Sequence, residues 1–333
     1  MSEIRFDVVG IGNAIVDIIG RCDDAFLAKH GRSKGSMQLV DAATVAALYD
    51  AMGPGVEISG GSVANTMVGI ASFGGKAGFI GKTANDQFGE VFGHDIRTAG
   101  VTFSTPPAAK GSEPTGRCLV LVTPDGQRTM NTFLGVSPQL GGGEVDAKLI
   151  GSARIVYLEG YLFDRPEAKA AFRQAAEIAA KAGRQVALSL SDAFCVDRHR
   201  TEFLALIRAS VDILFANEAE IASLYQTKSF DEAARQAQAD TKLAALTRSE
   251  KGSVILGGGK TVVIPAAPVS KVVDTTGAGD LYAAGFLFGV ATGRDLETAG
   301  RLGSLAAAEI ISHIGARPEK KLQDLARKTD LLA

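Results

Sequence analysis

Tryptophan is absent from this chain, and cysteine occurs three times, histidine four times and proline ten times in 333 residues. Cys22, Cys118 and Cys195 are odd in number and far apart, so they form neither a disulfide framework nor a Cys-x-x-Cys zinc site. No apolar stretch reaches the roughly 20 residues of a membrane helix. The N-terminus Met1-Ser2-Glu3-Ile4-Arg5 runs straight into a strand-like segment without a signal-peptide core, which predicts a cytoplasmic protein with no membrane partner. Neither sign of charge dominates: 35 Lys and Arg stand against 37 Asp and Glu, a net of −2. That balance excludes a disordered polyelectrolyte and gives no global basic footprint for nucleic acid.

What the chain has in excess is glycine, 39 residues against an average near 7 %. They are unevenly placed, with none between Arg184 and Lys251. Apolar runs alternate with helical patterns, predicting an α/β fold with a parallel sheet covered by helices. Strands are expected at Phe6–Ile11, Ala77–Ile80, Ile155–Leu158, Val186–Leu190, Val211–Phe215, Leu243–Leu246 and Val254–Leu256. Helices are expected over Val63–Phe73, Pro166–Ala182, Thr201–Ala209, Glu218–Tyr225, Ala278–Thr292 and Leu296–Ser312. Pro166 suits a first turn and Gly183 the position just past a helix end. Cys118–Thr123 and Arg128–Leu134 flank Pro124-Asp125-Gly126 and read as a hairpin. Ala14–Cys22 and Ser36–Val40 read as strands with no helix directly between them. Together these predict a small β-rich layer on one domain spanning 1–333.

The strongest chemical signal is Asp274-Thr275-Thr276-Gly277-Ala278-Gly279-Asp280 opening a helix. A glycine turn there points unpaired N–H groups and the positive helix end at one place, which suits a phosphate. Asp280 in the first turn is either a plain dipole partner or the acceptor of a proton from an attacking hydroxyl. Gly60-Gly61-Ser62-Val63-Ala64-Asn65 also enters a helix; it fails as a hydrolase elbow because position 64 is Ala, and reads as a hydroxyl clamp or a simple Ser62 cap. Gly10-x-Gly12 lacks the third dinucleotide glycine, since position 15 is Ile, and Gly81-Lys82-Thr83 fails as a P-loop because position 76 is Lys. Asn217 and Glu220 have capping-box spacing; at the carboxyl edge of a parallel sheet they also suit the water shell of Mg²⁺ on a nucleotide.

Taken together, Gly10-Ile11-Gly12-Asn13 with Asp17, the Gly60–Asn65 box, Gly81 with Asp86-Gln87-Phe88-Gly89, Asn217-x-x-Glu220 and Asp274–Asp280 resemble the ribokinase-type (PfkB) carbohydrate kinases over essentially the whole chain. Within them, Glu113-Pro114-Thr115-Gly116-Arg117-Cys118 and Leu188-Ser189-Leu190-Ser191-Asp192-Ala193-Phe194 are similar to stretches of adenosine kinases. The resemblance implies a three-layer α/β/α sandwich with a β-rich lid from about 13–41 and 111–136. It implies ATP and Mg²⁺ as cofactors, and admits a monovalent cation such as K⁺ near Asp274. It implies phosphorylation of a nucleoside 5′-hydroxyl, adenosine preferred, in purine salvage; a ribose, fructose, guanosine or inosine kinase is the alternative, and a catalytically idle binding protein a more distant one. Asp280 is implied as the base and Gly277, Ala278 and Gly279 as the anion hole. Asp17, Gly61, Ser62 and Asn65 are implied to hold the ribose hydroxyls, with Asn13 in support and Arg128 closing from the lid. Thr247, Gly252 and Thr275 are implied at the nucleotide, although the family's usual loop glycine is Ser249 here. Met37, Met130 and Phe163 are expected in an apolar base pocket. The small β-rich layer suits either a lid on a monomer or the surface of a homodimer.

Overall fold

A computed structural model describes residues 3–332. The strands in chain order are β1 Phe6–Ile11, β2 Ile15–Arg21, β3 Met37–Leu39, β4 Gly55–Gly60, β5 Ala77–Ile80, β6 Val101–Phe103, β7 Gly116–Val122, β8 Arg128–Phe133, β9 Ala153–Glu159, β10 Gln185–Ser189, β11 Ile213–Asn217, β12 Leu243–Thr247, β13 Ser253–Gly257 and β14 Lys260–Ile264. Nine form one sheet in the order β14-β13-β12-β11-β10-β9-β1-β5-β6. It is parallel from β6 to β12, and only β13 and β14 join it antiparallel.

Alternate residues of the central strands are buried on opposite faces, as a parallel sheet sandwiched by helices requires. Val8, Ile155 and Tyr157 pack with the helices Ser62–Ser72, Ala278–Ala291 and Leu296–Ile310. Val9, Val156 and Leu158 pack with Pro166–Lys181, Ala193–Ser210, Glu218–Tyr225 and Phe230–Asp240. This is the expected three-layer arrangement, and the glycine-free interval is one flank of it.

The second sheet has the order β3-β8-β7-β2-β4. The predicted hairpin appears as antiparallel β7 and β8. Two details differ from the sequence reading. A short helix, Asp24–Lys29, capped by Asp23, lies between β2 and β3. The sheet also takes an edge strand, β4, from a segment the sequence reading left in the main body, paired antiparallel to β2. Val16, Ile18 and Leu119 on one face join a core with Val45, Leu48 and Phe92, from the helices Ala42–Ala51 and Gln87–Thr98. The other face carries Ile15, Ile19, Cys118, Val120 and Met130 and forms the wall of a cavity.

Candidate active site

The cavity, of about 630 Å³, lies between that inner face and the carboxyl ends of the large sheet. Glu159, Ser189, Asn217 and Thr247, the last residues of β9 to β12, all line it. This is where open α/β sheets place ligands, because the strand ends and the following helix N-termini converge there.

Most helices begin on a side-chain cap, as at Asp86, Asp192, Asn217 and Asp295. The Ser62–Ser72 and Ala278–Ala291 helices instead begin on Gly61 and Gly277, at φ 104° and 78°, without one. Gly61 has no alternative: a Cβ there would lie 2.2 Å from Asn13 O. A Cβ at Gly60 would lie 2.4 Å from the Asp17 carboxylate, so the glycine pair makes room for Asp17 and turns the chain into the helix. Ser62 Oγ then donates to Asp280 Oδ1 at 2.6 Å and Asn65 Nδ2 to Oδ2 at 2.9 Å. Thr66 Oγ1 donates to the Asp280 carbonyl at 3.1 Å. The two glycine-led helix starts are thus joined through one carboxylate.

At Gly277 the N–H groups of Gly277, Gly279 and Asp280 have no acceptor among the described residues, as expected of an uncapped first turn. The Ala278 N–H differs, turning back to Thr275 O at 3.2 Å. Gly277, Gly279 and Asp280 line the cavity; Ala278 and Thr275 do not, and Thr276 does. Arg128, reaching from β8, pairs with Asp274 at 2.5 Å and donates to Thr276 Oγ1 at 3.1 Å. Its buried Nε and Nη2 have no partner, leaving donors beside the free N–H groups. Asp274 also accepts from the Gly315 N–H at 3.0 Å and from Thr276 N and Oγ1 at 3.1 and 2.8 Å. Three donors and a guanidinium occupy that carboxylate, so in this arrangement it does not fit as a ligand of a monovalent cation.

Several acids share the cavity. Burial pushes the Asp17 carboxyl up to about 6, against the fields of Arg317 and Arg128. Enclosure also raises the Asp280 carboxyl, while the Ser62 and Asn65 donors and Arg317 oppose it. Burial brings Glu220 to about 7; both its oxygens are engaged by Asn217, through N–H at 3.0 Å and Nδ2 at 2.6 Å. The capping box is therefore real, and this carboxylate faces the cavity as well. A carboxylate so held has lone pairs left for water, which fits Mg²⁺ carried with its hydration shell.

Sequence reasoning missed Glu159, Tyr161, Phe194 and Arg317. Glu159 is buried and accepts from Asn13 Nδ2 at 2.6 Å, Asn13 N at 3.2 Å and Val63 N at 3.0 Å, so from the end of β9 it takes a first-turn N–H that Gly61 has no side chain to accept. Burial pushes it up to about 7 despite those donors. Its one signal was a charged residue at the end of a buried strand. Met37 and Met130 line the cavity as expected; Phe163 does not, because it stacks on Phe203 at 4.0 Å in the core. The exposed aromatics on the wall are Tyr161 and Phe194, 42 % and 74 % accessible. Thr247 is on the wall, while Gly252, at φ 83°, closes a turn in which a Cβ would lie 2.0 Å from Ile264 O.

A model of the pfkB family of carbohydrate kinases matches residues 52–322. A probable sugar kinase from Rhizobium etli CFN 42 is 50 % identical, with a TM-score of 0.91 over 99 % of this chain and 100 % of that one. The adenosine kinase of Sinorhizobium meliloti is 52 % identical, with a TM-score of 0.89 over 97 % of this chain and 99 % of that one. The adenosine kinase of Saccharomyces cerevisiae is 27 % identical over 95 % of this chain and 98 % of its own length.

Proposed function

The chain belongs to the pfkB family of carbohydrate kinases and is a phosphotransferase with an alcohol group as acceptor; from that premise we propose that it moves the γ-phosphoryl of ATP to the 5′-hydroxyl of a nucleoside, adenosine preferred. The observation carrying the reading is the Asp280 carboxylate, held from both sides by Ser62 and Asn65 beside unpaired N–H groups at a helix start. Phosphoryl transfer passes through a loose transition state, so positioning and charge stabilisation dominate and an ordinary carboxylate suffices as the final proton acceptor. Asp280 orients the hydroxyl and takes its proton. The N–H groups of Gly277 and Gly279 and the unpartnered Nε and Nη2 of Arg128 receive charge on the moving phosphoryl. Asp17, Asn13 and the Gly61–Asn65 turn engage the sugar hydroxyls. Thr247 faces the nucleotide, with Gly252 and Thr275 shaping its surroundings.

The family uses ATP with Mg²⁺; when bound, the ion neutralises phosphate charge, and Asn217 and Glu220 would hold its water shell. A nucleoside is favoured over a free sugar by the wall beyond the diol clamp. Ile15, Ile19, Val120, Met37 and Met130 on the sheet side and Phe194 and Tyr161 opposite give a flat apolar ring something to bury against. The sugar-kinase alternative draws on the 50 % identity to the probable sugar kinase.

A coupled ATPase assay across adenosine, guanosine, inosine, ribose and fructose tests the assignment. Strongest stimulation by adenosine, abolished by several orders of magnitude in Asp280→Asn with ATP binding retained, is the expected result. Stimulation by sugars alone would overturn the nucleoside assignment, and near-normal turnover of the variant would overturn the role of Asp280.

A further inference from the structure

The segment between the Leu296–Ile310 and Leu322–Lys328 helices brings a guanidinium to the site that the transfer scheme above does not use. Arg317 donates from Nε to Ser59 O at 2.9 Å, and from Nη2 to the same carbonyl and to Ser59 Oγ, the latter at 2.8 Å. From Nη1 it donates to Ala64 O at 2.9 Å. Ser59 lies in β4 and Ala64 in the following helix, so one planar fork holds both ends of the turn carrying Gly60, Gly61 and Ser62. Ser59 is fully buried, and its N–H and Oγ donate in turn to Asp95 Oδ2 at 2.8 and 2.6 Å. Charge-assisted bonds therefore run from the C-terminal segment through β4 to the Gln87–Thr98 helix.

Among the described residues no carboxylate lies within ion-pair distance of Arg317; its charge faces Asp17 and Asp280 across the turn and Asp95 behind Ser59. Burial lowers the guanidinium only to about 10, so it remains charged at neutral pH. A bond to carbonyls alone needs no charge. A cation placed at the hinge of a turn, next to two acids that have few other counter-charges, serves both geometry and field.

Resting on the kinase reading above, we propose that Arg317 is the positioning residue of the acceptor site: it locks the β4-to-helix turn so that Ser62 and Asn65 aim the Asp280 carboxylate at the substrate hydroxyl. Its reach to the chemistry is indirect, through the two donors on Asp280. A misplacement of about 1 Å at a reacting group costs about 10²-fold in rate, which sets the expected scale.

The test uses the full-length enzyme with Arg317→Lys and Arg317→Gln, each checked for folding by circular dichroism. Both variants are expected to lose about 10²-fold in kcat, with KM for ATP nearly unchanged. Lysine keeps the charge but cannot grip two carbonyls in one plane, so Arg317→Lys should leave the acid limb of the pH–rate profile in place. Arg317→Gln should move that limb to higher pH, because Asp280 then loses the cation that opposes the rise of its carboxyl while Asp17, Glu159 and Glu220 still face it. Added guanidinium should restore part of the Arg317→Gln rate. Folded variants with kcat within threefold of wild type, or an acid limb that stays fixed in Arg317→Gln, would overturn the inference. If only Arg317→Lys folds, its kcat decides alone. Wild type measured beside them separates the two readings: no turnover with any of the five acceptors sinks the kinase assignment, whereas normal wild-type turnover with unaffected variants sinks Arg317 alone.

Discussion

Asp17 faces the cavity with no protein donor on its carboxylate among the described residues, and burial holds it near 6. Raised above its ordinary 3.8, the group adds stability that is complete below about 4 and is lost as pH rises through about 6. The empty site is therefore weakened at neutral pH by a charge that substrate hydroxyls would satisfy. Only the ionised form accepts from two hydroxyls at once. KM for the acceptor should rise about tenfold per pH unit below about 6, and Asp17→Asn should show a high KM with no such slope. A KM that stays flat from pH 7 to 5 in wild type would remove Asp17 from the clamp. Asp17 was legible only through the family resemblance, in company with Gly10-Ile11-Gly12-Asn13, and not through a local signal of its own. Ser249 was legible only as a missing glycine; the structure shows the serine adopting φ 51°, the glycine-like conformation the turn demands. Glu159 and Arg317 carried almost no local signal, since what they do depends on residues 146 and 258 positions away.

At the level of elements, long periodic segments were readable and their contacts were not. The Ala278–Ala291 and Leu296–Ile310 helices follow from apolar spacing, but only the packed structure explains their glycines. A Cβ at Gly285 would lie 2.3 Å from Leu302 O, and one at Gly289 would lie 2.7 Å from the Ala299 Cα. These glycines let two backbones approach; they make no turn. Alanine normally stabilises a helix interior over glycine by about 1 kcal/mol, so Gly285→Ala tests which effect wins. Because the clash at Gly285 is with backbone, the upper part of the overpacking range applies, about 2–3 kcal/mol, and less the propensity gain it predicts a net destabilisation of about 1–2 kcal/mol in urea unfolding; an unchanged or raised midpoint would show that the helices can separate at little cost. The strand β4 was hidden for a related reason. It is an edge strand of six residues, three of them Gly55, Gly60 and Ser59, and its strand character comes from pairing with β2 rather than from its own propensity.

Across the whole molecule, the small sheet gathers its five strands from four places in the chain, β7 and β8 being one hairpin, and its inner face closes the cavity that the large sheet opens. Sequence patterning could propose such a layer from its hairpin but not its contact with the Gly277 turn, because that contact is an ion pair between residues 146 positions apart in sequence, Arg128 and Asp274. The pair is almost fully buried, with side chains 8 % and 6 % accessible, so breaking it by removing one partner leaves an uncompensated charge and loosens the sheet from the anion-binding turn. We propose that the small sheet acts as a lid whose closure excludes water from the phosphoryl path. Arg128→Gln should then do more than slow transfer: with the lid untied, water competes with the acceptor, and ATP consumed per acceptor phosphorylated should rise above the one-to-one ratio of a closed site. Parallel measurement of ADP and phosphorylated acceptor reads that ratio directly. A variant that is slower but stays at one-to-one would assign Arg128 to charge stabilisation alone and leave the small sheet as a fixed wall.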